Sequence, residues 1–397
     1  MEKFTTPVGV HTSSSVAVLQ AASLESAATH SLYIGLDVHK DTIAVATALP
    51  GRGAPQYFGE IANTPKALSK LVARLSEPVG GEAMLWCYEA GPCGYGIHRQ
   101  LLSLGQDCEV VAPPRREPIK TDRRDALKLA RKLRAGELTS VWVPDVEQEA
   151  MRDLSRCRDD FKGQEKKARQ HLNAFVLRHG HHWPRSKSRW TRAHWEWLEH
   201  LSFAHAWQQQ VHDEYMGAVR SATEQVKEVE RRLLNEALPQ WSLAPVVDAL
   251  RALRGVDTLA AIILLAELGD ISRFDSPKEL MGYLGLVPCV HDSGARRGRH
   301  GSITRAGNGH ARRILVEAAW CYRHPARQTE HLLRKAKKAS GEAKAIAWRA
   351  QKRLCGRYRT LQSAGKNSKV VCVAVARELI GFVWDIVRHE MPKLQLA

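Results

Sequence analysis

The stretch LYIGLDVHKDTIAVATAL, residues 32–49, limits the fold more than any other part of the sequence. Two alternating runs rich in β-branched residues flank the polar turn HKD, which is the pattern of a hairpin opening a sheet. Asp37 sits in the middle of that hairpin, where an apolar strand does not ordinarily spend a carboxylate. Downstream, NTPKALSKLVARL (63–75) starts with a cap-like Asn-Thr-Pro and has helical apolar spacing. A strand at 82–90, a glycine-rich turn, a helix at 95–105 and a strand at 108–113 follow. The order β, β, (β), α, β, α, β, α implies a mixed α/β sheet.

The character changes at residue 147. Two long, polar helical stretches, 147–180 and 193–238, are separated by HHWPRSKSRW with its Pro184. Their length and few apolar positions imply an antiparallel, coiled-coil-like helical arm that pairs with another element. From 246 the pattern is helix, Gly turn, helix, and the remainder is expected to be helical around a basic loop at 289–313. The expected division is a flexible extension (1–31), an α/β catalytic domain (32–146), the arm (147–240) and a mainly α C-terminal domain (241–397).

Charge points to a polyanionic partner. The chain carries +17 overall, yet residues 1–150 hold 16 basic against 17 acidic side chains, so residues 151–397 hold 43 against 25, net +18. Cationic side chains gain affinity for nucleic acid by releasing condensed counterions, so the phosphate-binding surface is expected to be mostly C-terminal. The eight cysteines are scattered without zinc-site spacing, as in a protein of the reducing cytoplasm. The longest apolar run, LAAIILLA at 259–266, falls far short of the roughly 18 residues that span a bilayer.

Against that basic background, a set of acids stands out. Asp37 lies in the first strand, Glu89 ends a later one, and Asp122 and Asp125 are spaced i, i+3 on one face of a helix that Thr121 can cap. Any one of them could simply cap a turn or complement a helix dipole. Convergent carboxylates, however, persist only with a cation, and hard oxygen donors select Mg²⁺ or Mn²⁺, the ions of phosphodiester chemistry. Arg115, Arg116, Lys120, Arg123 and Arg124 would hold the strand on either side.

The order of these acids in a β-first α/β domain resembles the ribonuclease H-like nucleases, and the i, i+3 pair resembles RuvC resolvase. IGLDVHKDTIAVA, YEAGPCGYGIHRQLLSLGQDCEVVAP and KTDRRDALKLARKLRAGEL resemble the DEDD transposases of the insertion sequence 110 family. LRGVDTLAAIILLAELGDISRF and the sequence after it resemble that family's C-terminal transposase domain, so the likeness runs from about residue 32 to about 325. The last 70 residues match nothing of the family.

The basic loop VPCVHDSGARRGRHGSITRAGNGHARR presents Arg296, Arg297, Arg299, Arg305, Arg312 and Arg313 among glycines, a composition suited to close phosphate contact. The resemblance implies that the serine of the family's SG motif, Ser293 here, attaches covalently to DNA; Ser302 in GSITR is the competing choice. The Gly turn in LRGVDTLAAIILLAEL reads equally as a phosphate-binding helix-hairpin-helix or as two core helices. HGHHW at 179–183 reads as a solvated loop rather than a metal site.

These features together lead to a DNA transposase/recombinase in which Asp37, Glu89, Asp122 and Asp125 bind Mg²⁺ and Ser293 attacks the scissile phosphate. The resemblance further implies donor and target DNA as partners, a structured guide RNA, a homodimer or homotetramer, and a bacterial, nucleoid-associated, cytoplasmic setting. The alternatives are a Mg²⁺-dependent junction resolvase or nuclease that uses water, and a nucleic-acid-binding scaffold without catalysis.

Overall fold

In the first unit, five strands form one sheet in the order β3-β2-β1-β4-β5. They are β1 (Leu32–Val38), β2 (Thr42–Ala48), β3 (Gln56–Ala62), β4 (Met84–Glu89) and β5 (Asp107–Val111). β1, β2 and β3 are antiparallel neighbours, while β4 runs parallel to β1 and β5 parallel to β4. The structure, a computed structural model, describes residues 30–78, 80, 83–113, 121–293 and 296–394, with the backbone alone at 290–300. The expected extension at 1–31 therefore lies almost wholly outside the described residues.

Strand alternation sorts the side chains of the sheet into two layers. Leu32, Ile34 and Leu36 of β1 join Met84, Trp86 and Tyr88 of β4 on one face. That face is covered by α1 (Pro65–Ser76) and α2 (Gly96–Ser103) through Leu68, Leu71, Leu75, Ile97 and Leu101. Thr64 caps α1, accepting from the Ala67 amide, and Pro65 occupies the first turn. The opposite face carries Tyr33, Ala44, Ala46, Ala48 and Cys87, which pack against Ala126, Leu129, Ala130 and Leu133 of α3 (Asp122–Arg134).

The alanines and Gly35 on that face let α3 lie directly on the strands. A Cβ at position 35 would stand 2.4 Å from the Ala130 amide nitrogen and 2.6 Å from the Ala126 carbonyl oxygen. α3 is therefore seated on β1 at backbone contact, and its N-terminus is fixed relative to that strand.

The second unit begins at Pro144. α4 (Val146–Arg178) and α6 (Ala206–Arg232) pair along their lengths. Phe175 meets Tyr215, Glu165 accepts from Thr223, and Arg158 pairs with Glu230, so the two helices run antiparallel. Here the structure corrects the expectation of one unbroken helix over 193–238. Its N-terminal part is a separate helix, α5 (Arg192–Glu199), and the chain breaks at 200–205 because Phe203 turns into an aromatic cluster with Phe175, His179, His181 and His212. That packing also corrects the reading of HGHHW as a solvated loop.

The rest of the unit is built around one apolar core. α7 (Ala244–Leu250), α9 (Pro277–Tyr283), α10 (Gly309–Ala319) and α12 (Gly341–Ser363) pack against α13 (Ser368–Leu394), α8 (Thr258–Leu268) packs against α7 and α10, and α11 (Glu330–Lys335) precedes α12. The last 70 residues, expected to match nothing of the family, supply the central helix of this core, in which Val371, Val375, Leu379, Val383 and Val387 are fully buried, and the alignment with a family relative over 90% of the chain reaches into them. The turn between α7 and α8 belongs to the scaffold. Gly255 approaches α10 so closely that a Cβ would lie 2.4 Å from the Ala318 carbonyl, and Asp257 caps α8 itself by accepting from Ala260.

The basic segment expected as a loop is instead a two-stranded antiparallel ribbon, β6 (Pro288–Ser293) and β7 (Arg296–Ile303). A buried carboxylate fastens its C-terminal end. Asn308, which caps α10, donates to Glu267 Oε2 at 2.6 Å, and Arg156 of α4 donates to both oxygens of Glu267 at 2.8 and 2.9 Å. Burial opposes the charge of Glu267, but Arg156, Asn308 and Arg152 outweigh it and hold the carboxyl below its ordinary 4.5.

With the folded value depressed, this group's stabilisation is complete above about pH 4.5 and disappears as pH falls through the lower, folded value. Removing one partner of a buried pair costs roughly 3–5 kcal/mol, and the half-exposed Arg156 moderates this, so Glu267→Gln should cost about 2 kcal/mol at pH 7. Urea unfolding across pH should show the difference between native and variant shrinking in acid; a constant difference down to pH 3 would contradict the assignment.

Candidate active site

Two of the acids stand where the parallel strands end. Asp37 is the sixth residue of β1 and Glu89 the last of β4. The parallel register pairs Leu36 with Tyr88, so Asp37 and Glu89 stand one step beyond on neighbouring strands. Both belong to the α3 face by alternation. The chain leaves β1 toward β2 on one side and returns as β4 on the other, the type of switch point at which open α/β sheets bind ligands. Both acids line an open cleft of about 770 Å³, together with His39, Lys40, Asn63 and Cys93.

The helix brings the second acidic pair. Thr121 caps α3 by accepting from the Arg124 amide, and Asp122 is the first helical residue. Asp122 continues the stripe Ala126, Leu129 and Leu133 that lies on the sheet. His39 Nε2 stands 3.3 Å from Asp37 Oδ2 and 3.2 Å from Asp122 Oδ1. One ligand atom from each of Asp37, His39 and Asp122 lies within 4.8 Å of the others. A buried carboxylate, an imidazole nitrogen and an exposed carboxylate in this arrangement fit a divalent cation.

The sequence reading overlooked His39, although it lies two residues after Asp37 and strand alternation gives the two a common face. Asn63, just past β3, fixes the turn that carries it. Its side-chain amide donates to the His39 carbonyl at 2.8 Å, while the His39 amide donates to Thr42 at 2.9 Å. Asp125 is half-buried one turn along α3.

The basic residues are placed less uniformly. Arg123 lays its guanidinium over the Tyr57 ring of β3, 5.2 Å from the centroid, and Arg124 is exposed. Arg115, Arg116 and Lys120 lie outside the described residues. Ser293 is the last residue of β6 and pairs with Arg296; Arg297 and Arg299 follow along β7, and Ser302 is exposed near its end. Arg305 is exposed. Arg312, half-buried, donates to the Leu284 and Ala306 carbonyls at 2.7 and 2.8 Å. Arg313 pairs with Asp159, whose carboxyl disfavours burial yet is held well below its usual range by His310, Arg158 and Arg313.

Comparison with known proteins agrees with this layout. A DEDD transposase model of the IS110 type matches residues 34–180, spanning all four acids, and a second model, described as transposase IS116/IS110/IS902 family, matches 247–332. A putative transposase of Sinorhizobium fredii is 45% identical over 363 residues, covering 90% of this chain and 88% of that protein. This chain belongs to the IS116/IS110/IS902 transposase family. The transposase for insertion sequence element IS1533 of Leptospira borgpetersenii is 30% identical, covering 85% of this chain and 98% of that protein. The transposase for IS1111A of Coxiella burnetii is 25% identical over 74% and 78%. The transposase is accordingly a DNA-handling enzyme, and among its described residues no helix is long and apolar enough to cross a membrane.

Proposed function

We propose that the transposase cuts and rejoins DNA strands with Mg²⁺ (or Mn²⁺) held by Asp37, Asp122, Glu89 and Asp125, and with Ser293 as the nucleophile. The observation that carries this reading is the meeting of Asp37, His39 and Asp122 within 4.8 Å at the end of β1. When bound, the cation would neutralise charge on the scissile phosphate and stabilise the leaving oxygen. The fold of the first unit is read as the ribonuclease H-like, RuvC type, on the strength of its strand order and the positions of its acids.

In this reading the protein's own groups do the following. Asp37 and Asp122 hold the negative side of the site, and His39 keeps the two carboxylates together. Arg124 on the α3 N-terminus and the arginines of β7 hold the phosphodiester backbone. The Ser293 hydroxyl attacks phosphorus, a serine–phosphate bond replaces one P–O bond, and a deoxyribose hydroxyl leaves with a proton. Rejoining reverses the exchange with a different hydroxyl. A structured guide RNA selecting donor and target, assembly as a dimer or tetramer, and residence in the bacterial cytoplasm at the nucleoid complete the proposal.

Ser293→Ala decides between this and a nuclease using water. With the native chain, denaturing gels of labelled DNA should show a covalent protein–DNA adduct, and with Ser293→Ala none. Cleavage that persists in the variant, or an adduct lost only in Ser302→Ala, would overturn the assignment of Ser293.

A further inference from the structure

The chain reaches its most basic stretch just past residue 332, where the match to the second family model ends. Residues 333–369 contain 12 Lys and Arg and a single acid, Glu342. Six of the twelve lie on α12, whose surface is divided into three. Ala343, Ile346, Ala347, Ala350 and Leu354 form the stripe buried in the core. Arg349, Arg353 and Arg357, four residues apart, form a flank neutralised by α13: Arg349 meets Asp385 at 3.0 Å, while Arg353 and Arg357 meet Glu378 at 2.9 and 3.2 Å.

The other flank carries Lys344, Trp348, Lys352 and Arg359. Among the described residues, none of its three cations has a carboxylate within ion-pair distance. α11 lies along the same side, since Leu332, Leu333, Lys344 and Trp348 line one shallow groove and Lys344 Nζ reaches the Lys337 carbonyl. Arg334 of α11 and Lys337 in the turn after it are exposed as well. One flank of a single helix is thus compensated and the other is not. Like charges held on a rigid surface repel one another, a cost that a bound polyanion removes.

We infer that the uncompensated flank of α12, with Arg334 of α11 and Lys337 just after it, is a docking surface for the backbone of duplex DNA. At a rise of about 1.5 Å per residue, Lys344 to Arg359 spans roughly 22 Å. Over that length a duplex presents on the order of a dozen phosphates. Single strands are held by aromatic faces on which bases stack. Here the one aromatic ring, Trp348, is half-buried and covered by Lys352, whose Nζ lies 5.7 Å from its centroid, so backbone charge is what the flank can recognise. The surface supplies sequence-independent affinity and does not depend on which residue is the nucleophile.

The test uses the full chain carrying Lys344→Gln, Lys352→Gln and Arg359→Gln, with anisotropy titrations of a mixed-sequence duplex over a range of salt. Losing three phosphate contacts should reduce the slope of log affinity against log salt by about 2–3 and weaken binding at physiological salt by roughly tenfold or more. Arg349→Gln with Arg353→Gln, on the neutralised flank, should keep the native slope. Thermal melting verifies folding, and Lys352→Gln alone, with an expected slope change of about 0.9, serves if the triple variant unfolds. A native slope in a folded variant overturns the inference. So does an equal change from either flank, or a loss seen with hairpin RNA while duplex binding is unchanged.

Discussion

Asp37→Asn should lower DNA strand cleavage by about 10³-fold, with DNA affinity within a factor of about two of native. The estimate follows from removing one anionic ligand that supports roughly 4 kcal/mol of transition-state charge stabilisation, at 1.36 kcal/mol per factor of ten. The fold should survive, because Asn is nearly isosteric and because the substitution removes a carboxylate from a cluster in which Asp37 and Asp122 share one imidazole. In chelator the variant should melt no lower than the native chain. With Mg²⁺ added, the native chain should gain stability as the ion binds the folded state, while the variant gains little. Asp122→Asn should behave the same way but less severely, since Asp122 is exposed and can be replaced by water. An Asp37→Asn protein that cleaves at the native rate, or that Mg²⁺ stabilises to the native extent, would remove the acids from the reaction.

That expectation rests on a site largely legible in the sequence. Asp37 stood out because alternation made it an acid inside an apolar strand, and Asp122 because Thr121 marked a helix start. His39 was not legible in the same way. A histidine in a polar turn reads as solvent-facing until Asn63, 24 residues away, is seen to hold that turn in place. The ribbon β6–β7 escaped for a different reason. Its arginines and glycines obscure period-two alternation, and register shifts at Pro288/Val290 and His291/Ser293 break what remains. α13, VVCVAVARELIGFVWDIV, lay within the stretch expected to be helical: its buried Cys372, Ala376, Leu379, Val383, Ile386 and Glu390 recur three and four residues apart, the spacing of a helix face. The break at 200–205 depends on Phe203 finding Phe175 across the arm, a tertiary contact that overrides local helical preference.

Gly35→Ala should be the most damaging one-carbon change in the first unit. The new Cβ would meet backbone atoms of α3, the Ala130 nitrogen at 2.4 Å and the Ala126 carbonyl oxygen at 2.6 Å, neither of which can rotate away. Relief requires α3 to lift from β1, opening contacts of Ala126, Leu129 and Leu133 with the sheet. Overpacking of this kind costs about 3 kcal/mol, the upper part of its usual range. At about 4–8 °C per kcal/mol for a domain of this size, the melting temperature should fall by roughly 12–24 °C. Since Asp122 is the first residue of α3 and Asp37 lies on β1, the same displacement pulls the two carboxylates apart. Stabilisation by Mg²⁺ should therefore be lost along with cleavage, even at temperatures where the variant remains folded. Gly53→Ala is the matched control, because no atom lies within 4 Å of its added Cβ and its effect should stay within about 0.5 kcal/mol. A Gly35→Ala chain that melts and cleaves like the native one would mean that α3 does not rest on β1 at backbone contact, and the convergence of Asp37 with Asp122 would lose its structural basis.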